Sequence, residues 1–170
     1  MYAPKPFTRL IASLVSIFLF QINSLCQIMV VVNNTPGVVP DYKPLQGALD
    51  SVAVGTLILL QPGNGTYGEV TVTKRVGIIG AGYFLNQNAE PNRQATPRES
   101  VVSMIAFDAG SNGSYITGLS MTGLTNTGQN RFNFSNTSDI TISRCLIYPG
   151  SNGWMNYMYR SPAITIKQSY

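Results

Sequence analysis

Short apolar runs separated by turn residues make up most of the chain, and this pattern predicts strands. Leu57–Leu60 is a continuous apolar run, and Val70 and Val72 alternate with polar residues. A third run, Val76–Ile79, follows without a helix-length segment between them. Runs of about four to eight residues bounded by Gly, Pro and Asn are typical of short buried strands. The stretch 54–82 therefore predicts three strands in close succession. Two other runs of the same kind predict further strands: Gln27–Val32 and Val101–Phe107.

One segment has the period of a helix. Apolar residues fall at the i, i+3, i+4 and i+7 positions of a single helical face: Leu45, Ala48, Leu49 and Val52. Asp41 can cap the N-terminus of such a helix, and Pro44 is suited to its first turn. We therefore predict a helix over about residues 41–52. Its apolar face must cover another element, and the strands of 54–82 are the nearest surface.

The last third of the chain contains a repeat. Segments that begin at Ile116, Ile142 and Ile166 share the order Ile-polar-polar-x-polar-x, at spacings of 26 and then 24 residues. Leu57 and Ile78 extend a similar spacing, 21 residues, toward the N-terminus. Short strands and turns that recur at this spacing are typical of solenoids, in which successive repeats stack. The fourth position of the aligned segments is predicted to form an inner column: Leu119, Cys145 and Ser169.

Charge and composition narrow the classes of function. The 170 residues carry a formal net charge of +4, their 11 basic residues are scattered, and no histidine is present. Nucleic-acid binding normally requires a clustered basic face, so we predict no nucleic-acid partner. The lack of histidine removes the commonest general base and transition-metal ligand, and two cysteines cannot build a zinc site. Cys145, within the predicted inner column, is expected to be an inert core residue.

Residues 1–26 have the three-part layout of a secretory signal peptide. Two basic residues precede the apolar run Leu10–Phe20, and a polar stretch ends in small residues at Ser24 and Cys26. Cleavage after Cys26 would release residues 27–170 as one exported domain, either secreted or held at the cell surface.

The apolar run of the leader is too short for a membrane-spanning helix, which needs about 20 residues. We therefore predict no membrane insertion once the leader is removed, and retention as an anchor is the alternative. A lipid anchor at Cys26 is disfavoured, because lipidated cysteines usually follow a small residue and Leu25 stands there. If cleavage follows Cys26, Cys145 is left without a cysteine partner for a disulfide.

The helical segment 42–52 and the strands after it resemble the N-terminal cap and first coils of right-handed parallel β-helix proteins, the pectate-lyase-like superfamily. The family's Pro-Gly-x-Tyr turn is spread here over Pro62–Tyr67, with a two-residue insertion. The strand pair ends in Ile-Ile-Gly-x-Gly at residues 78–82, and the later Ile-Thr-Gly-Leu and Ile-Ser-x-Cys segments are similar to the family's repeats. The resemblance covers about residues 41–170.

The resemblance implies an all-β fold: a right-handed parallel β-helix of about 4–5 coils, with an N-terminal capping α-helix. Residues 81–100, which are irregular and rich in prolines and amides, predict a long loop. The sequence stops at Tyr170 within a third copy of the repeat, where a solenoid needs a terminal cap. We therefore expect an N-terminal portion of a longer β-helix protein, truncated at its C-terminus. Such scaffolds carry lyases, hydrolases, epimerases and non-catalytic adhesins, so the fold implies no single activity.

Candidate catalytic groups are sparse in the sequence. The seven acidic residues form no Asp-Asp or Asp-x-Asp group, and no catalytic motif of the family is found. Asp139 and Arg144 come nearest to an outward acid/base pair, and we interpret them as a solvated face. The glycines of Gly77–Gly82 are predicted to be strand corners, because no helix follows them to receive a phosphate. No cofactor is predicted, and Ca2+ is implied by family analogy alone.

The aromatic-rich segment 148–160 is the leading candidate for ligand contact. Rings interleaved with amides suit sugars, since the rings pack on C–H groups while the amides bind hydroxyls. Five residues are assigned to carbohydrate binding, the last of them on a second wall: Asn152, Trp154, Tyr157, Tyr159 and Tyr83. The competing interpretation places the segment in the core, because alternate residues share one parity: Trp154, Asn156, Met158 and Arg160.

The sequence favours an exported module that binds or displays extracellular or cell-surface polysaccharide and carries no catalysis in these residues. One alternative is the N-terminal part of a polysaccharide lyase or glycoside hydrolase whose catalytic coils follow. A second alternative is a structural, adhesin-like stalk. The sequence sets neither the glycan nor the oligomeric state.

Overall fold

The computed structural model describes residues 27–82, 98–121, 130–148 and 156–170. Within them it has one helix, α1 (Leu45–Ser51), and twelve strands. The first six strands are β1 (Met29–Val32), β2 (Leu57–Leu60), β3 (Glu69–Val72), β4 (Gly77–Ile79), β5 (Met104–Phe107) and β6 (Tyr115–Thr117). The other six are β7 (Ser120–Met121), β8 (Phe132–Ser135), β9 (Thr141–Ser143), β10 (Leu146–Ile147), β11 (Asn156–Tyr159) and β12 (Thr165–Lys167). The predicted signal peptide and most of the predicted loop 81–100 lie outside the described residues.

All pairs of these strands are parallel, and they form three sheets. Six strands form one sheet in the order β1-β2-β4-β6-β9-β12, four form a second in the order β11-β8-β5-β3, and β7 pairs with β10 in a third. From β5 onward the chain visits the four-stranded, six-stranded and two-stranded sheets in turn, and we call each such set of strands a coil. The described chain is therefore mostly β, with parallel sheets and one helix.

An isoleucine column runs through the six-stranded sheet. Its members are register partners in five successive strands: Ile58, Ile78, Ile116, Ile142 and Ile166. The first four side chains are buried, so the column forms one wall of the core. The predicted repeat that begins at Ile116, Ile142 and Ile166 is confirmed by this register.

The predicted equivalence of Leu57 and Ile78 is wrong by one residue. Leu57 pairs with Gly77, and Ile58 is the partner of Ile78. Neighbouring residues of a strand point to opposite faces, so Ile58 fills the inner column and Leu57 lies on the other face.

Phenylalanines stack in an inner column of the four-stranded sheet. Phe107 and Phe134 are register partners, with ring centroids 5.3 Å apart and ring planes 3° from parallel. Phe132 lies on the same face of β8, with its ring centroid 6.0 Å from that of Phe134. All three side chains are buried, and large rings bury more apolar area than any other side chains. These three rings therefore form the part of the core that lies against the four-stranded sheet.

The predicted inner column at the fourth repeat position is confirmed for two of its members. Leu119 and Cys145 are fully buried, whereas Ser169 is partly exposed and accepts the Cys145 N–H at 3.2 Å. Burial raises the pKa of the Cys145 thiol, because apolar surroundings disfavour the thiolate. A thiol in this environment is a packing group, as predicted.

Left-handed backbone corners recur with a 24-residue period. Three residues of one coil have positive φ, and so do their counterparts 24 residues later: Asn136, Asp139 and Arg144, then Arg160, Ala163 and Gln168. Glycines have positive φ in the coil before them: Gly110, Gly113 and Gly118. A residue with a side chain costs about 1–2 kcal/mol in this conformation. The stacked strands on either side must therefore stabilise the left-handed conformation of these residues.

The helix is shorter than predicted, and Asp41 does not cap it. Pro44 occupies the N-cap position without a side-chain hydrogen bond, while the Asp41 carboxylate accepts the N–H of Val31 at 2.7 Å. A residue before proline disfavours the helical conformation, so α1 cannot extend back through residue 43. The predicted apolar face is confirmed by the three buried residues of the helix: Leu45, Ala48 and Leu49.

Several predicted strands are interrupted by corners. The predicted strand Val101–Phe107 begins only at Met104, and Val101 forms an isolated bridge with Ser120. The repeat segments that begin at Ile116 and Ile142 each divide into two strands, because a positive-φ residue turns the chain into the next sheet.

Candidate functional site

Tyr157 and Tyr159, two of the predicted sugar contacts, point outward from β11. Their side chains are 53% and 45% exposed. Asn156 and Met158 alternate with them and are in register with the buried phenylalanines of β8, so these two residues face inward. The guanidinium of Arg160 lies 5.3 Å from the ring centroid of Tyr159. The two rings therefore remain available to a ligand. Of the residues that the core interpretation places inside, Asn156 is partly buried, whereas Met158 and Arg160 are exposed.

The other predicted sugar contacts, Asn152, Trp154 and Tyr83, lie outside the described residues, and their role stays a prediction. An amide does stand beside the tyrosines, because Asn133 is the register partner of Tyr157. Its Nδ2 lies 3.5 Å from the Met104 sulfur. We call Asn133, Tyr157 and Tyr159 the tyrosine face.

A groove of about 750 Å³ follows the corner where the strands of the six-stranded sheet end. This volume is within the range of sites that bind small molecules or short oligomers, about 300–1,000 Å³. We call it the corner groove, and six residues define it: Gly80, Thr117, Gly118, Arg144, Gln168 and Tyr170.

Two glycines keep the floor of the corner groove free of side chains. Gly80 and Gly118 occupy the same corner in successive layers, because Ile79 and Thr117 before them are register partners. Gly118 has a φ of 71°, and a Cβ there would lie 2.8 Å from the carbonyl oxygen of Gly80. The main chain of Gly80 and Gly118 therefore forms the floor. Arg144, at the same corner one coil later, is the first residue of this corner with a side chain.

Arg144 brings positive charge to one end of the corner groove. Its Nε donates to Gln168 Oε1 at 3.4 Å, and its exposed guanidinium forms no ion pair with an acidic side chain of the described residues. Asp139 stands at a different corner, where its carboxylate accepts the Ser138 hydroxyl at 2.8 Å. The two groups that come nearest to an acid/base pair in the sequence are therefore not paired.

The glycines of Gly77–Gly82 are corners in part. Gly80 and Gly82 lie at the turn after β4, and Gly82 has a φ of 103°. Gly77 instead lies within β4, and the ring of Tyr115 covers it so closely that a Cβ would overlap the ring. The prediction of a corner is therefore wrong for Gly77, which is a glycine because an aromatic side chain packs on it.

A second arginine, Arg131, is buried and serves the fold. Its Nε donates to the carbonyl of Tyr148 at 2.6 Å, and its Nη1 donates to the carbonyl of Ser103 at 3.4 Å. Burial lowers the pKa of its guanidinium, because desolvation disfavours the charged form. The bond to Tyr148 closes one coil and the bond to Ser103 joins it to the preceding coil, so Arg131 has a structural role.

The described part of the chain brings together no group of three metal-ligating side chains. The Ca2+ implied by family analogy therefore has no described site that fits it, and we derive no chemistry from it.

Comparison of the chain with protein-family models, with curated proteins and with solved structures found no match. The resemblance to β-helix proteins therefore rests on the sequence motifs. In the described ranges, no helix has the length and apolar character needed to cross a membrane.

The sequence reasoning missed the corner groove, although one signal of it was present. Gly118, Arg144 and Gln168 share the third position of the aligned repeat, so they had to meet at one corner. Gly80, which lines the same groove, falls outside the aligned segments.

Proposed function

We propose that the chain is an exported polysaccharide-binding module, built as a right-handed parallel β-helix, with its ligand in the corner groove. The observation that carries this proposal is the groove itself. Its floor is main chain, and its walls offer hydroxyl, amide, guanidinium and phenol groups. Sugar hydroxyls both donate and accept hydrogen bonds, and they pair well with such groups.

The topology and the leader support the scaffold and the export. Crossover connections between parallel strands of one sheet are right-handed in about 98% of cases, and every pair among the described strands is parallel. The isoleucine column and the phenylalanine cluster supply the continuous core that a solenoid needs. Export rests on the signal-peptide layout of residues 1–26.

Arg144 favours an acidic polysaccharide over a neutral one. A guanidinium binds a carboxylate through two parallel hydrogen bonds, and this guanidinium forms no ion pair with an acidic side chain of the described residues. Thr117 lines the groove with Arg144 and can bind a sugar hydroxyl. Binding should therefore weaken as ionic strength rises.

The chemistry of the groove favours binding over hydrolysis. Glycoside hydrolysis normally needs two carboxyl groups on either side of the scissile bond. The described lining of the corner groove contains no carboxylate side chain. Two alternatives differ from this proposal. The N-terminal part of a polysaccharide lyase or glycoside hydrolase, with catalytic coils after residue 170, predicts cleavage by the longer chain. An adhesin-like stalk predicts no ligand.

The test replaces matched arginines and measures affinity for pectin, alginate and xylan oligomers. Arg144→Asn removes the guanidinium at a corner with a φ of 50°, which asparagine tolerates. Arg160→Asn removes the same charge at a corner with a φ of 48°, outside the groove. We expect Arg144→Asn to weaken the binding of acidic oligomers about tenfold or more, since hydrogen bonds to charged groups contribute ~1.5–3 kcal/mol.

The outcomes separate the alternatives. Equal affinity of the two variants for acidic oligomers would overturn the corner groove as the site. Loss on Tyr157→Ala or Tyr159→Ala, with Arg144→Asn unchanged, would move the ligand to the tyrosine face. Release of shortened oligomers would show catalysis and end the binding-only proposal.

A further inference from the structure

A second cavity lies at the opposite end of the strands whose other ends form the corner groove. It has a volume of about 240 Å³, and Arg75, Gly77 and Tyr115 are among the residues that line it. Sites that hold a whole small-molecule ligand have volumes of about 300–1,000 Å³. A cavity smaller than these suits a single charged group or sugar unit of a larger ligand. We call it the arginine cavity.

The arginine cavity and the corner groove lie on the same face of β4 and β6. Gly77 and Tyr115 are register partners and line the arginine cavity, whereas Ile79 and Thr117 are register partners and line the corner groove. Residues two apart in a strand point to the same face and lie about 6.6 Å apart. The two cavities are therefore neighbours. This face is the outer one, because Ile78 points into the core.

The ring of Tyr115 forms a flat surface beside the arginine cavity. It packs on Gly77 so closely that a β-carbon there would overlap the ring, and the tyrosine side chain is still 36% exposed. Main chain therefore supports one side of the ring, and solvent reaches the other. A ring held in this way can pack on the C–H face of a sugar that lies along the sheet.

The guanidinium of Arg75 has no partner within the described part of the chain. It is exposed, and no hydrogen bond or ion pair joins it to another described side chain or carbonyl. Glycines occupy the same corner before β2 and β6: a β-carbon on Gly55 would lie 3.8 Å from the Arg75 Nη2, and one on Gly113 would lie 3.3 Å from its Cδ. Asp139 follows at this corner one coil later, outside the described lining of both cavities. This guanidinium is therefore available to a carboxylate of a ligand.

Arg75 and Arg144 stand at opposite ends of the outer face. Arg75 lies two residues before β4 and Arg144 directly after β9, and β6 lies between these two strands. Five residues along a strand and two strand spacings separate their main chains by roughly 20 Å. Only a chain of several sugar units spans this distance. The outward positions of the three strands carry no acidic side chain that would repel such a ligand: Gly77, Ile79, Tyr115, Thr117, Thr141 and Ser143.

We infer that an acidic polysaccharide crosses the outer face of β4 and β6 from the corner groove to the arginine cavity. One of its carboxylates binds Arg144, a second binds Arg75, and a sugar ring packs on Tyr115. The inference rests on the proposed function and adds a second charged contact to its site. Contacts on one ligand reinforce each other, because the second forms intramolecularly at a high effective concentration. Affinity therefore rises with the length of the oligomer until both arginines are reached.

The test measures the affinity of the chain for oligogalacturonates of increasing length by titration calorimetry. Arg75→Gln removes the charge from the arginine cavity. Tyr115→Thr removes the ring and introduces the residue that β9 and β12 carry in the same register, Thr141 and Thr165. Arg160→Gln removes the same charge outside both cavities and serves as the matched control.

We expect the unaltered chain to bind long oligomers about tenfold more tightly than short ones, which corresponds to ~1.4 kcal/mol. Arg75→Gln should abolish most of this gain with length, and Tyr115→Thr should reduce it. Arg160→Gln should keep the gain, because its charge lies outside the path of the ligand.

The outcomes separate this inference from the proposed function. Weaker binding of every length by Arg144→Asn, with the full gain kept by Arg75→Gln, would overturn the second contact and leave the corner groove as the site. Equal loss of the gain in Arg75→Gln and Arg160→Gln would also overturn the second contact, because general charge attraction would then explain the length dependence. Equal binding by all variants, or no binding of any oligomer, would overturn the inference together with the proposed function.

Discussion

Gly118→Ala should destabilise the chain far more than Arg144→Ala at the same corner one coil later. Alanine at Gly118 would take a φ of 71°, which costs about 1–2 kcal/mol for a residue with a side chain. Its Cβ would also lie 2.8 Å from the Gly80 oxygen and 3.2 Å from the Gly82 nitrogen. Such overpacking costs a further ~1–3 kcal/mol. We expect a loss of about 2–5 kcal/mol, a large share of the roughly 5–15 kcal/mol typical of a domain.

Urea unfolding followed by circular dichroism measures this difference, provided that the slopes of the two variants agree. Arg144→Ala keeps both the β-carbon and the corner conformation, so its free energy of unfolding should change by less than about 1 kcal/mol. Equal losses in the two variants would refute the reasoning that close packing of Gly80 and Gly118 forms the floor of the corner groove. A Gly118→Ala chain as stable as the unchanged chain would refute it too.

Three further substitutions test the phenylalanine cluster, the buried Cys145 thiol and the hydrogen bonds between the Gln46 amide and the main chain of Thr71 in β3. Phe134→Ala should lower the free energy of unfolding by about 3–5 kcal/mol, and Phe134→Leu by less than about 1.5 kcal/mol, in urea titrations; similar losses would contradict a tightly packed ring cluster. Burial raises the pKa of Cys145, so the unfolded chain loses the thiol proton first and stability declines as pH rises above the ordinary thiol value of about 8.5. Cys145→Ala should make that decline shallower, and an unchanged pH profile would contradict it. Gln46→Ala should lower the free energy of unfolding by about 1–3 kcal/mol and speed hydrogen exchange in β3, because it removes both bonds to Thr71. Gln46→Glu keeps the acceptor for the Thr71 N–H and should lower it less. Unchanged exchange in both variants would contradict the view that Gln46 covers the outer edge of β3.

The strands were predictable wherever a repeat fixed their register. Ile116, Ile142 and Ile166 align in sequence and pair in the structure, because identical side chains stack best in one column. Leu57 was placed one residue out of register, since the run Leu57–Leu60 is apolar throughout and has no alternation to mark its inner face. The start of α1 was predicted too early, because the Asp41 carboxylate accepts a main-chain N–H of β1 that no local sequence pattern reveals.

The site was less predictable than the fold, because it depends on what lies between repeats. The outward direction of Tyr157 and Tyr159 follows from strand alternation, and the sequence was informative there. The corner groove requires a side chain at Arg144 above bare main chain at Gly118 and Gly80. That arrangement joins three coils of different length, so sequence spacing alone does not bring them together.

The most direct test of the account maps where an acidic oligosaccharide binds. Amide shifts of the isotope-labelled chain, recorded during titration with an oligogalacturonate, would locate the contact surface residue by residue. The account predicts that the largest changes fall at Thr117, Arg144 and Gln168 in the corner groove and diminish at high salt. Largest changes at Tyr157 and Tyr159, or no changes at saturating ligand, would contradict it.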